Sequence, residues 1–91
     1  MTTGEKIRKI ADHYSFEHQT ITAIAEMSEL QRAICRWSRG GMTREIQASL
    51  IDEIADVLIM VRQLEYLIGA ESVSGRIKEK LDRQLEQIRR G

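Results

Sequence analysis

The segment of residues 54–61 constrains the fold of this chain more than any other part of its sequence. It reads Ile-Ala-Asp-Val-Leu-Ile-Met-Val, so a helix formed by it is apolar on every side except at one carboxylate, that of Asp56. The length of the surrounding segment and its lack of turn residues favour a helix over a strand. A helix that is apolar all round must be covered all round. Three further short helices can hardly cover it, so we expect a second copy of the chain to pack here.

The spacing of apolar residues predicts four helices in one domain spanning residues 1–91. The predicted helices cover about residues 5–14, 15–36, 43–68 and 73–89. Ser15 and Thr43 are good N-caps for the second and third helices, and Gly69 is a good stop for the third. Residues 37–41 end in two glycines and are predicted to form a turn between these helices. An all-α fold with two antiparallel central helices follows.

The charges of the chain balance overall but are segregated along it. The formal net charge is zero, which argues against a general nucleic-acid-binding protein, because such proteins carry a basic excess. Residues 45–56 nevertheless contain four acids and no base, and residues 36–44 contain three arginines and no acid. A neutral chain of this kind can place an acidic site beside basic segments.

The single cysteine and the N-terminal residues give two further expectations, one about burial and one about location. Cys35 has no partner for a disulfide within the chain, and its apolar helical context predicts a small buried hydrophobic residue. The first nine residues lack the apolar core of a signal peptide, and no apolar run reaches membrane-spanning length. We therefore expect a cytoplasmic location and no membrane partner.

Two pairs of carboxylates carry the candidate chemistry. Glu26 and Glu29 are three residues apart on the second helix, and Glu53 and Asp56 have the same spacing on the third. Residues at this spacing project from one face of a helix, so two antiparallel helices can bring the pairs together. Four close carboxylates repel each other unless a cation joins them, and oxygen ligands suit Mg²⁺ or Mn²⁺. The alternative is a pair of solvated faces, which is the commoner role for Glu26 and Glu29 taken alone.

The same residues carry a resemblance to a known family. Residues 25–30 (AEMSEL) followed by residues 52–57 (DEIADV) resemble the MazG-like nucleotide pyrophosphohydrolases of the all-α NTP pyrophosphatase superfamily. The family pattern is Glu-Glu-x-x-Glu on one helix and Glu-x-x-Asp on the next, and the resemblance covers roughly residues 19–83. It implies a four-helix MazG-like bundle with Mg²⁺ ligands at Glu26, Glu29, Glu53 and Asp56. The first glutamate of the family pattern is Ala25 here.

The resemblance also implies an activity. Members of the family cleave nucleoside triphosphates between the α and β phosphates, giving a monophosphate and pyrophosphate. A carboxylate not fully used by metal could accept the proton of the attacking water, and we assign this role to Glu29. Gln19 falls where relatives often have a glutamine near the base or sugar, and Lys80 and Arg83 fall where relatives carry basic phosphate-binding residues. Each of these three side chains could equally be an ordinary polar residue on a helix surface.

The sequence therefore predicts a Mg²⁺-dependent nucleoside triphosphate pyrophosphohydrolase that forms a homodimer or homotetramer and binds no nucleic acid. Two other functions fit parts of the pattern. A non-catalytic helical interaction module of the same fold is favoured by Ala25. A helix-turn-helix DNA-binding regulator would use the glycine turn between the central helices, but the acidic residues 45–56 argue against it.

Overall fold

The computed structural model describes residues 1–91 as four α-helices without any strand, which confirms the all-α prediction. The helices are α1 (Thr3–His13), α2 (Phe16–Gly40), α3 (Arg44–Ile68) and α4 (Ala70–Arg90). No helix is both long enough and apolar enough to cross a membrane.

The beginnings of α1, α2 and α3 are fixed by side chains that bind free backbone N–H groups. Thr2 Oγ1 accepts a hydrogen bond from Glu5 N at 3.1 Å, and Glu5 Oε1 accepts one from Thr2 N at 3.2 Å, which completes a capping box. Ser15 Oγ accepts from His18 N at 3.0 Å, and Thr43 Oγ1 accepts from Ile46 N at 3.1 Å. The predicted caps of the second and third helices are confirmed.

The predicted end of α2 is wrong by four residues. The helix continues beyond Arg36, through Trp37 and as far as Gly40. Of the two adjacent glycines, Gly41 alone lies outside the helix, with a φ of +76° that is unfavourable for a residue with a side chain. One glycine is enough to end the helix, so the other is accommodated inside it. The predicted stop at Gly69 is confirmed, and its φ of +145° lets α4 begin at the very next residue.

Helices α2 and α3 form an antiparallel pair, and α1 packs against α3. The side chains of Gln19 and Gln63 meet near one end of the pair, and Gly40 approaches Ile46 at the other. Tyr66 Oη donates to both carboxylate oxygens of Asp12, at 2.9 and 3.0 Å, which joins α3 to α1. The predicted antiparallel arrangement of the two central helices is present.

The core of a single chain is small. Seven of the 91 residues are buried, and α4 contributes none of them. The buried residues are Ile7, Ala11, Gln19, Ala23, Ala33, Met60 and Gln63. Because the two apolar residues that α2 buries, Ala23 and Ala33, are both alanines, α2 approaches its neighbours closely but buries little apolar area. A four-helix bundle closed by α4 is therefore absent within one chain and remains part of the proposal below.

The predicted burial of Cys35 is wrong. Cys35 is exposed, since it lies on a face of α2 that no other helix covers. Asp56 is not among the buried residues. The apolar segment around it is covered on one side only. Met60 is 6% exposed, whereas Leu58, Ile59 and Val61 are all exposed. Asp56 therefore meets water at the edge of the α2–α3 contact.

Candidate metal centre

Three of the four predicted carboxylates converge between α2 and α3. Glu26 of α2 and Glu53 and Asp56 of α3 each offer one oxygen, and these oxygens all lie within 4.8 Å of one another. We call these three residues the acidic cluster. Glu53 and Asp56 share a face of α3 because they are three residues apart. Glu26 reaches them because α2 runs antiparallel beside α3, as the helical spacing predicts.

The acidic cluster is electrostatically unfavourable when no cation is bound. The pKa of Glu53 is raised above 4.5, first because neighbouring atoms displace water from its carboxylate. The negative charges of Asp56, Glu29, Glu26 and Asp52 raise it further. Glu26 and Glu53 are both half-buried, so water screens their repulsion only in part. A cation placed among the three oxygens would relieve this repulsion.

The donor set of the acidic cluster fits a hard divalent cation. Mg²⁺ binds oxygen at about 2.0–2.1 Å in octahedral geometry, so its ligand oxygens lie at most about 4.2 Å apart. Neighbouring ligand oxygens in such an octahedron lie only about 3 Å apart. The oxygens of the acidic cluster lie within 4.8 Å of one another, so the side chains would turn inward to bind the cation. No histidine or cysteine takes part. Such an all-oxygen set favours Mg²⁺ or Mn²⁺ over zinc.

Glu29 lies outside the acidic cluster. Its Oε1 is 3.5 Å from Arg32 Nη1, an exposed ion pair within α2. Glu29 and Glu53 nevertheless line the same polar groove, which has a volume of about 110 Å³. We call it the arginine groove; its lining residues are Glu29, Arg32, Ala33, Arg36, Ser49 and Glu53. It is smaller than the roughly 300–1,000 Å³ of a typical small-molecule pocket, so it suits a phosphate group better than a whole nucleotide.

Arg32 in the arginine groove was not recognised in the sequence. Arg32 follows Glu29 by three residues and Arg36 follows Arg32 by four, which places all three on one face of α2. That spacing was the available signal, but only the packing of Ser49 and Glu53 opposite them defines a groove. The structure therefore places two guanidinium groups beside the acidic cluster.

Gln19 is buried rather than exposed at the helix surface. Its Nε2 donates to Gln63 Oε1 at 2.6 Å, and its Oε1 lies 2.7 Å from His18 Nδ1. Because Gln19 Oε1 can only accept, His18 Nδ1 carries the proton in this contact. The two glutamines thus join α2 to α3 through a buried hydrogen bond. The contact of Gln19 with a base or sugar stays a prediction.

We expect the Gln19–Gln63 pair to hold α2 against α3. Replacing Gln63 by methionine keeps its volume but leaves the buried Gln19 amide without its acceptor, which costs roughly 1–3 kcal/mol of unfolding free energy. Replacing both glutamines by methionine removes the unsatisfied group, so the double variant should be more stable than the sum of the single variants predicts. Urea unfolding of wild type, of the single variants Gln19→Met and Gln63→Met and of the double variant measures this coupling. Additive losses would show that the bond contributes nothing.

The raised pKa of Glu53 predicts how stability changes with pH in metal-free protein. Between 4.5 and the raised pKa, the folded chain holds a proton that the unfolded chain has released. The unfolding free energy therefore falls as the pH rises through this range. With EDTA present, the melting temperature of wild type should fall as the pH rises from 4.5 through the raised pKa of Glu53, more steeply than that of Glu53→Gln. Glu65→Gln, on the same helix but outside the acidic cluster, is the control. Identical slopes for wild type and Glu53→Gln would contradict the prediction.

Lys80 and Arg83 lie apart from the arginine groove. Both are exposed on α4, whose main contact within the chain is with α3. Neither lines the groove beside the acidic cluster. Within one chain, therefore, neither side chain lies in the groove where the phosphate is proposed to bind.

Comparison of this chain with protein families, with curated proteins and with solved structures finds no match in any of the three.

Proposed function

We propose that this chain is a Mg²⁺-dependent nucleoside triphosphate pyrophosphohydrolase of the MazG-like kind. One observation carries the proposal: Glu26, Glu53 and Asp56 converge from two helices with their oxygens within 4.8 Å of one another. These are three of the four residues that the resemblance assigns to metal. The substrate is a nucleoside or deoxynucleoside triphosphate, and the products are the monophosphate and pyrophosphate.

The roles of the chain's own residues follow from their positions. Glu26, Glu53 and Asp56 would hold Mg²⁺, which when bound supplies charge neutralisation on phosphate oxygens and lowers the pKa of water. Arg32 and Arg36 line the groove next to the acidic cluster, where guanidinium groups can bind phosphate oxygens. Glu29 lines the same groove without belonging to the cluster, which supports assigning to its carboxylate the role of accepting a proton from water.

The remaining parts of the proposal concern substrate contacts and assembly. Gln19 would contact the base or sugar only if its buried amide became accessible. Lys80 and Arg83 would bind phosphate only if the assembly placed α4 near the groove of the same or another copy. The proposal includes a homodimer or homotetramer and a cytoplasmic location. Its support for self-association is the exposed apolar side chains of α3, notably Leu58 and Ile59.

A nucleotide screen tests this function. Purified protein is incubated with each common ribo- and deoxyribonucleoside triphosphate in the presence of Mg²⁺, and both pyrophosphate and monophosphate are measured. We expect equal amounts of the two products from at least one nucleotide, and none in EDTA. Asp56→Asn, purified in the same way, controls for contaminating hydrolases. Free phosphate and diphosphate as the products would contradict cleavage between the α and β phosphates.

A non-catalytic module of the same fold is the second candidate, and Ala25 favours it. Where the family pattern has a further carboxylate, this chain has a methyl group, so one acidic group fewer is available for a second metal or a water molecule. Magnesium binding without release of pyrophosphate from any nucleotide would favour this module. Restoring the family pattern with Ala25→Glu would then show whether the missing carboxylate accounts for the lack of activity.

A further inference from the structure

Helix α4 carries an apolar stripe that nothing in the chain covers beyond its first turns. Val73 is half-buried, but Ile77, Leu81, Leu85 and Ile88, which continue the same face at helical spacing, are all exposed. Leu81 is 53% exposed and Ile88 is 75% exposed. We call these four exposed residues the α4 stripe. It begins at the contact with α3 and extends away from it.

The exposed surface of the chain is far larger than that of a compact monomer. A compact protein of 10.5 kDa has an accessible surface of about 5,400 Å². This chain has 7218 Å². The radius of gyration is 16.0 Å, compared with about 12 Å for a compact domain of this length. Each chain therefore exposes about 1,800 Å² more than a compact fold of its mass would.

This excess area matches an obligate interface between copies. If each of two chains buried about 1,800 Å², the interface would total roughly 3,600 Å², within the 2,000–5,000 Å² of obligate homodimers. Such interfaces are apolar, as the α4 stripe is.

The polar faces of α4 carry four acids and six bases. This mixture suits a protein neighbour of zero net charge better than an anionic membrane, which selects helices with a predominantly basic polar face.

We propose that α4 is a dimerisation arm whose apolar stripe packs against a second copy of this chain. The proposal rests on the self-association included in the proposed function and names the surface responsible, but it does not depend on nucleotide hydrolysis. In an isologous dimer each copy both offers its stripe and covers that of its partner. The arm would then close around each copy the helical bundle that one chain leaves open.

Sedimentation equilibrium of matched double variants tests the arm. Leu81→Gln with Leu85→Gln removes the centre of the α4 stripe while keeping residues that favour helix. Arg76→Gln with Glu79→Gln alters another face of α4 by the same number of substitutions, and it removes both members of an exposed ion pair. We expect wild type and the Arg76/Glu79 variant to form the same oligomer at micromolar concentration. The Leu81/Leu85 variant should dissociate with a constant at least ten times larger.

The concentration dependence of thermal unfolding keeps the test decisive if the Leu81/Leu85 variant does not fold. A chain whose fold is coupled to dimerisation melts at higher temperature as its concentration rises. We expect this for wild type over a hundredfold range of concentration. A wild-type monomer whose melting temperature does not change with concentration would overturn the proposal. So would an unchanged oligomer in the Leu81/Leu85 variant. Because these measurements use no nucleotide, their failure is separate from failure of the proposed activity.

Discussion

Replacing Asp56 by asparagine is expected to lower pyrophosphate release at least about 100-fold while the chain stays folded. Loss of a residue that merely orients a metal ligand typically costs 10–100-fold, so loss of a ligand should cost at least as much. Folding should survive because Asp56 is not among the buried residues. Its removal also takes one negative charge away from Glu53, so the metal-free protein could gain stability. Steady-state kinetics with Mg²⁺, together with circular dichroism, measure both effects.

Asp52→Asn is the matched control for Asp56→Asn. Asp52 is an exposed acid on the same helix and also raises the pKa of Glu53, but it does not belong to the acidic cluster. It should retain activity within a few-fold of wild type. Asp56 would instead be a structural residue if Asp56→Asn unfolded the chain while the folded remainder kept its metal affinity. Equal losses in both variants would show that overall negative charge, rather than metal ligation, matters.

Aspartate at Met60 is expected to unfold the chain, whereas aspartate at the adjacent Ile59 should chiefly weaken self-association. Met60 is buried and its sulfur accepts from Gln63 Nε2 at 3.8 Å. An unpaired charge there should cost roughly 3–5 kcal/mol of unfolding free energy. Ile59 is 43% exposed and lines an apolar groove between α1 and α3, beside Ile7 and Ile10. A charge at Ile59 can remain hydrated in one chain but not under a second copy.

Urea unfolding and sedimentation equilibrium separate these two outcomes. We expect Met60→Asp to lose its helical circular dichroism signal under conditions where wild type is folded. Ile59→Asp should keep that signal but form fewer oligomers at micromolar concentration. Ile59→Ala, which shortens the side chain without adding a charge, is the control. A stable, folded, non-aggregating wild-type monomer would contradict the expected self-association, because it would show that the exposed apolar side chains of α3 are tolerated in water.

The parts of the fold that the sequence predicted correctly depend on local signals. Ser15 and Thr43 each bind an N–H group three residues along the chain, so the cap depends on few neighbours. Gly69 ends α3 because it adopts a positive φ, which other residues seldom do. The convergence of Glu26 with Glu53 and Asp56 follows from helical spacing and a short turn, so it too was accessible from the sequence.

The parts that were missed depend on contacts distant in the sequence. Gln19 and Gln63 are 44 residues apart, and nothing local shows that their amides meet in the core. The exposure of Cys35 depends on which face of α2 packs against α3, and both of these helices have more than one apolar face. The end of α2 was placed too early, at Arg36, because the two glycines were interpreted as marking a turn that begins before them, whereas residues 37–40 stay helical and, of the two, only Gly41 adopts a positive φ.

Calorimetric titration of Mg²⁺ and Mn²⁺ tests the metal centre most directly. Wild type should bind at millimolar concentration or below, and binding should raise its melting temperature because the ligand favours the folded state. Asp56→Asn should lose this binding, and Asp52→Asn should keep it. Absence of binding by wild type at millimolar Mg²⁺ and Mn²⁺, or equal binding by wild type and Asp56→Asn, would contradict a metal centre formed by Glu26, Glu53 and Asp56.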